Sequence, residues 1–214
     1  MEEPRIPIAK EGWPFILAPA LLAEILALGG LIGWALLAFA ATCLAAYFFR
    51  DPPRFFAGEE GEIVAPADGR IVFLGQTEKG PLGEEAAIKV SIFMNLFDVH
   101  VNRVPATGRV VEMRYYPGQF FNASLDKASS RNERLALALQ TETGQRLNVV
   151  QVAGLIARRI VCYARPGDEL KAGQRFGLIR FGSRLDLYLP LASQLYVSLG
   201  QRVLAGQTPL GRLP

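Results

Sequence analysis

The chain has 214 residues, half of them hydrophobic, and a net charge of +3. That length accommodates one domain of ordinary size plus an appendage, and the mild basic excess contains no Lys/Arg block of the kind that binds nucleic acid. Two separated cysteines and one histidine exclude a disulfide framework and the usual metal-ligand sets, so no metal is expected.

The hydrophobic excess lies at the N-terminus, where Glu24 is the only charged residue between Phe15 and Phe49. A membrane span takes about 20 apolar residues, so this stretch holds one long helix or two short ones broken near Gly29, Gly30 and Gly33. Helices over 15–28 and 31–49 would form a hairpin with both basic flanks, Arg5 and Lys10 before it and Arg50 and Arg54 after it, on one side. The apolar run is too long for a secretory signal and no small-residue cleavage site follows it. Residues 1–54 are therefore read as a retained membrane anchor, as one span or a helical hairpin. In "RDPPRFF" the prolines stiffen the exit, and Arg54, Phe55 and Phe56 suit contact with the lipid–water boundary.

From residue 55 the chain reads as β-rich. "EIVAPADGRIVFLG" (62–75) is two β-runs around a Pro-Ala-Asp-Gly turn, and "AAIKVSIFM", "GRVVEMRYY", "RLALALQ", "RLNVVQVAG", "RIVCYA", "RFGLIRF", "RLDLYLP" and "QLYVSL" follow with turn residues between them. "RLDLYLP" alternates, placing Leu185, Leu187 and Leu189 on one face. "RPGDELKAGQRFG" and "SLGQRVLAGQTPLG" resemble each other and read as Gly-punctuated hairpins. One helical turn is expected around 155–159. The fold class is mainly β (α+β): a β-rich sandwich or barrel-like domain over 55–214 behind a helical anchor.

Three places invite chemistry. His100 stands in a polar loop, "FDVHVNRVP", beside Asp98, Asn102 and Arg103. Asp68 belongs to an Asp-Gly pair, the commonest short hairpin turn. Gly182-Ser183 interrupts two strand-like runs, where glycine packs nothing and costs backbone entropy. Each has a purely structural reading. No P-loop, dinucleotide fingerprint or nucleophile elbow is present.

Taken in order, "YFFRDPPR" after the anchor, "APADGRI", "FDVHVNRVPATG", the weaker "SRNERLAL" and "RFGSRLDL" resemble the short proenzyme form of the phosphatidylserine decarboxylase family, across nearly the whole chain. The resemblance implies self-cleavage between Gly182 and Ser183 into a β chain, 1–182, and an α chain, 183–214. It implies a covalent pyruvoyl group made from Ser183, with no pyridoxal phosphate and no metal, that forms a Schiff base with the serine amine of the substrate. The product would be phosphatidylethanolamine, with loss of CO2. Asp68 and a histidine would activate Ser183, and His100 would protonate the substrate carbon. Longer members have "LGST" where this chain has "FGSR", and a second histidine where this chain has Arg103. Either His100 serves both steps or Asp68 acts without a histidine. Arg103, Arg184 and Asn102 are the candidate headgroup ligands. The expected partners are a phospholipid, the cytoplasmic face of the inner membrane, and the other half of an α/β pair, in a homodimer of such pairs. An archaetidylserine-type substrate shares the headgroup. Two rival readings are a membrane-anchored lipoyl- or biotinyl-like carrier modified at Lys127, and a serine hydrolase using Ser183, His100 and Asp68.

Overall fold

The structure is a computed structural model that describes residues 6–56, 58–59, 61–82, 86–121, 131–155, 159–180 and 182–214. It divides into two compact units, 1–53 and 54–214. Lys127 and the helical turn expected at 155–159, apart from its two ends, lie outside the described residues.

In the first unit a 3-10 turn, Lys10–Gly12, leads into helix α1 (Trp13–Leu28), and α2 (Ile32–Phe48) follows. The break falls at Gly29 and Gly30, where Gly30 has φ +75°. Leu, Ile, Phe and Trp side chains are exposed on both helices, so the hairpin is apolar on faces that no protein covers. At 16 and 17 residues the helices rise about 24 and 26 Å, a little under the hydrocarbon thickness of a bilayer. The hairpin is closed at its base by the pairing of Ile8 with Arg50 and by hydrogen bonds from Ala9 N–H to Phe49 O and from Asp51 N–H to Pro7 O.

The second unit is mainly β. Its strands are β1 (Glu62–Val64), β2 (Gly69–Thr77), β3 (Ala87–Met94), β4 (Val101–Arg103), β5 (Gly108–Tyr116), β6 (Arg134–Gln140), β7 (Arg146–Val152), β8 (Ile160–Cys162), β9 (Glu169–Leu170), β10 (Arg175–Ile179), β11 (Ser183–Leu189), β12 (Gln194–Leu195), β13 (Arg202–Val203) and β14 (Pro209–Arg212). An eight-stranded antiparallel sheet runs β13-β2-β3-β11-β7-β6-β5-β9, and two three-stranded sheets run β1-β14-β12 and β4-β10-β8. One continuous core contains Leu185, Leu187 and Leu189 from the centre of the large sheet, Phe176 and Ile179 from β10, and Ile63 and Leu210 from β1 and β14. It is filled from all three sheets, as the alternation in these strands requires.

Several expected hairpins are absent because the turn residues change the chain's sheet rather than fold it back on its neighbour. β1 pairs with β14, not with β2, so Pro66-Ala67-Asp68 carries the chain from one sheet to another. β9 pairs with β5 while β10 pairs with β4 and β8. The two look-alike stretches turn at left-handed glycines, Gly173 and Gly206, that lie against each other and flank Arg103.

Register fixes the end of the molecule where chemistry can occur. Phe93 pairs with Arg70 on β2 and Arg184 on β11, and Arg184 also pairs with Val152, which pairs with Arg134. These five residues form one row across the sheet, and Ser183 lies one position nearer its end, opposite Met94.

Candidate active site

β11 is buried along its whole length, so neither face meets solvent. Leu185, Leu187 and Leu189 point to the core, and Ser183, two residues ahead of Leu185, points the same way. Its hydroxyl is fully buried, with Met94 Sδ 3.9 Å away. Gly182 has φ +63°, a conformation that costs any residue with a Cβ roughly 1–2 kcal/mol. Beyond its chain neighbours, no heavy atom of the described residues lies within 4 Å of where that Cβ would stand, so backbone conformation rather than space selects glycine here.

His100 comes to this bond from the small sheet. It precedes β4, whose partner β10 ends three residues before Gly182, and Ile179 N–H donates to His100 O at 3.4 Å. The imidazole is buried. Its Nδ1 is 3.0 Å from Asp98 O, and Gly182 N–H points at Nε2 from 3.4 Å. A carbonyl only accepts and an amide N–H only donates, so these partners assign the proton to Nδ1 and leave the Nε2 lone pair facing the Gly182-Ser183 segment. Asp98 is itself held. Its carboxylate accepts from Asn95 N–H at 2.9 Å and pairs with Arg202 at 2.6 Å. A backbone carbonyl of a braced turn thus orients the histidine, the office a carboxylate holds in the hydrolase triad.

Asp68 is engaged elsewhere. Both its oxygens take the Arg54 guanidinium, with Arg54 Nη2 2.8 Å from Oδ2, and Oδ1 also accepts from Ala205 N–H at 2.8 Å. Arg54 donates as well to Ala205 O at 2.8 Å. β2 and β11 flank β3, which puts Arg70 and Arg184 about 10 Å apart across Phe93, and Asp68 is at the near end of β2. The structure therefore brings His100 to Gly182 and leaves Asp68 as the partner of Arg54. That arginine is nearly buried inside the second unit instead of reaching for a lipid surface. Phe55 is exposed and Phe56 half-buried.

The three candidate headgroup ligands separate likewise. Asn102 is on the Ser183 side: its Nδ2 reaches Met94 Sδ at 3.6 Å, and its Oδ1 accepts from Gln151 Nε2 at 2.9 Å. Arg103 is buried and donates to Gly173 O at 3.0 Å. Arg184, alternating with Ser183, lies on the opposite face and pairs with Asp186 through Nε at 2.8 Å. Burial alone would raise the Asp186 carboxyl, but the charges of Arg184 and Lys89 outweigh it and hold it below the ordinary value. Arg184 thus belongs to a buried ion cluster and not to a headgroup site.

Sequence reasoning passed over Gln151. It is buried on the core face of β7 beside Leu185, and its Oε1 has no hydrogen-bond partner among the described residues. The signal was available: in Leu147, Val149, Gln151 an amide occupies the third position of an apolar stripe. Burial pushes the Cys162 thiol up to about 11, which keeps it protonated and unreactive. Among the described residues no three His, Cys, Asp or Glu side chains gather as metal ligands would.

Comparison with known proteins bears on this arrangement. The family model described as phosphatidylserine decarboxylase matches residues 42–211. A protein of Geotalea uraniireducens named phosphatidylserine decarboxylase proenzyme is 48% identical over 217 residues, covering 100% of both chains. Proteins of the same name from Pelobacter propionicus and Burkholderia ambifaria are 50% and 46% identical, covering all of this chain and 100% and 99% of their own.

Proposed function

The chain belongs to the phosphatidylserine decarboxylase family, and from that premise we propose that it cuts itself at Gly182-Ser183 and then decarboxylates phosphatidylserine through a pyruvoyl group at position 183. The observation that carries the reading is the buried His100, whose Nε2 lies 3.4 Å from the N–H of a left-handed glycine directly before a buried serine.

In the processing step Ser183 Oγ adds to the Gly182 carbonyl carbon and the Ser183 nitrogen leaves it, so the amide becomes an ester. His100 Nε2 takes the hydroxyl proton and returns it to the departing nitrogen. Loss of the Cα proton of residue 183 expels the Gly182 carboxylate. Hydrolysis of the resulting dehydroalanine releases ammonia and leaves the ketone. The left-handed turn at Gly182 leaves the scissile carbonyl uncrowded by a side chain. The surroundings of Ser183 are those of a buried position beside Met94, whose sulfur Asn102 also reaches.

The bound ketone supplies an electron sink for the carbanion left when CO2 departs. His100 then holds the proton destined for the substrate carbon, and Asn102, oriented by Gln151, offers an amide donor to the headgroup. Arg103 and Arg184 serve the fold. After cleavage the α chain stays in place because β11 is paired on both sides, with β3 and β7, and β13 and β14 pair with β2 and β1. The apolar hairpin anchors the chain in the inner membrane, with Lys10 and Arg50 at its base on the cytoplasmic side.

Intact-mass measurement tests this directly. Wild type should give two chains, 1–182 and a 183–214 fragment resistant to N-terminal sequencing. Their summed mass should exceed that of the full chain by one water less one ammonia. Ser183→Ala should give a single chain. A wild type of one mass with an unmodified serine would end the proposal.

A further inference from the structure

The end of the large sheet that carries Ser183 is unusual for a soluble surface. Leu96 and Phe97 follow β3, Leu155 follows β7, and Leu204 follows β13; all four are exposed, Phe97 and Leu155 at 64%. Isolated exposed leucines need no explanation, but four on three loops at one end form a patch. The display is also held rigidly. Phe97 N–H donates to Asn95 Oδ1 at 2.7 Å, Asp98 closes the same turn, and Arg202 ties it to β13. Polar bonds thus fix a turn whose apolar side chains touch solvent. One of these loops is joined to the site, since Asp98 O holds His100 Nδ1; the loop after β7 leaves the strand that pairs with β11.

The charges around the patch favour an anionic partner. Arg70 and Arg159 are exposed, and Arg202 is 65% exposed even while paired. Arg159 O accepts from Arg180 N–H two residues before Gly182, which places it at the same rim. The acids here, Asp68 and Asp98, are each bound by an arginine, and Glu133 is half-buried.

We propose that Leu96, Phe97, Leu155 and Leu204 dip into the headgroup layer of an anionic bilayer and seat the end of the sheet that carries Ser183 on the surface that holds its substrate, as a contact separate from the N-terminal hairpin. The inference rests on the family reading for its substrate, a two-tailed lipid that does not leave the bilayer readily. Apolar tips enter the headgroup–acyl boundary while arginines stay with the phosphates and carboxylates.

The test uses the full chain reconstituted in phosphatidylserine/phosphatidylcholine vesicles. Phe97→Ser/Leu155→Ser should lower CO2 release from vesicle-borne phosphatidylserine by at least about tenfold, the lower bound for removing two inserted apolar side chains. Release from monomeric dihexanoyl phosphatidylserine, which needs no docking, should be unchanged. Equal loss on both substrates, no loss on either, or a change in oligomeric mass (tips packed on a second copy) would each overturn the proposal. A second arm reads insertion without catalysis. In a Ser183→Ala, Trp13→Phe, Trp34→Phe chain, Phe97→Trp should emit to the blue and be quenched by brominated lipid, and an unquenched emission would refute insertion. Wild type inactive on both substrates would instead count against the enzymatic reading, leaving the quenching result to judge the tips.

Discussion

His100→Gln separates the chemistry of the histidine from its packing. A glutamine amide oxygen placed near Nε2 accepts from Gly182 N–H, so that contact survives, but an amide takes up no proton. The hydrogen bond to Asp98 O is lost, at a cost of about 1 kcal/mol. In a chain of this length that lowers the melting temperature by roughly 2–4 °C. Proton transfer by a positioned base contributes about 10²–10⁴-fold, or roughly 3–5 kcal/mol of barrier. Self-cleavage should therefore slow by at least about a hundredfold while the fold is barely touched. The assay is a chase after cell-free synthesis into vesicles, following the decay of full-length chain on a denaturing gel. Melting temperatures are compared in a Ser183→Ala background, so that both chains are uncut. Cleavage at the wild-type rate would refute the assignment of His100 as the base, whatever happened to decarboxylation afterwards. A melting temperature lower by ten degrees or more would mean that the histidine is structural.

Gly182→Ala should fold, because the new Cβ has room, but at φ +63° it strains the turn by roughly 1–2 kcal/mol and should slow cleavage in the same chase. Asp68→Asn leaves a nearly buried Arg54 without its counter-charge, so a stability loss of about 3–5 kcal/mol is expected by thermal melt. A normal melt with abolished cleavage would instead return Asp68 to the chemistry. Asp186→Asn should also destabilise the uncut Ser183→Ala chain at neutral pH, because Arg184 and Lys89 lose their shared carboxylate. The native Asp186 carboxyl titrates below its unfolded value of about 3.9, so its contribution is complete above roughly pH 5 and is lost as pH falls through the native pKa. The melting gap between the two chains should hold from neutral pH down to that point and close in stronger acid, and a gap that widened there would contradict the assignment. Cys162, with its thiol at about 11, should resist alkylation at pH 8 in the folded chain and react after denaturation.

Much of this architecture was legible locally. Gly29-Gly30 in a run with a single charge, Glu24, marked the place where one long helix would break into a hairpin, because two glycines remove side-chain packing and admit φ +75°. Alternation in "RLDLYLP" identified the core face of β11. The strand period also implied what was overlooked: if Leu185 faces the core, so does Ser183, and Arg184 must take the opposite face, which is itself buried. His100 does lie in a loop, as its polar neighbours implied, but the short strand β4 that follows it was hidden because Val101, Asn102 and Arg103 are all buried and show no alternation.

The order of motifs in the chain determined the family and put forward Gly182-Ser183 as the proposed cleavage point, since both depend on residues adjacent in sequence. Tertiary structure decided the partners. Only the pairing of distant strands gives Asp68 to Arg54 and Ala205, gives His100 to Gly182 across 82 positions, and puts Gln151 behind Asn102 across 49. A strand's own pattern specifies which face a side chain takes, with a period of two, but carries no record of which strand lies beside it. That neighbour is set by burial of the whole core, and with it the choice of which polar groups meet at Ser183.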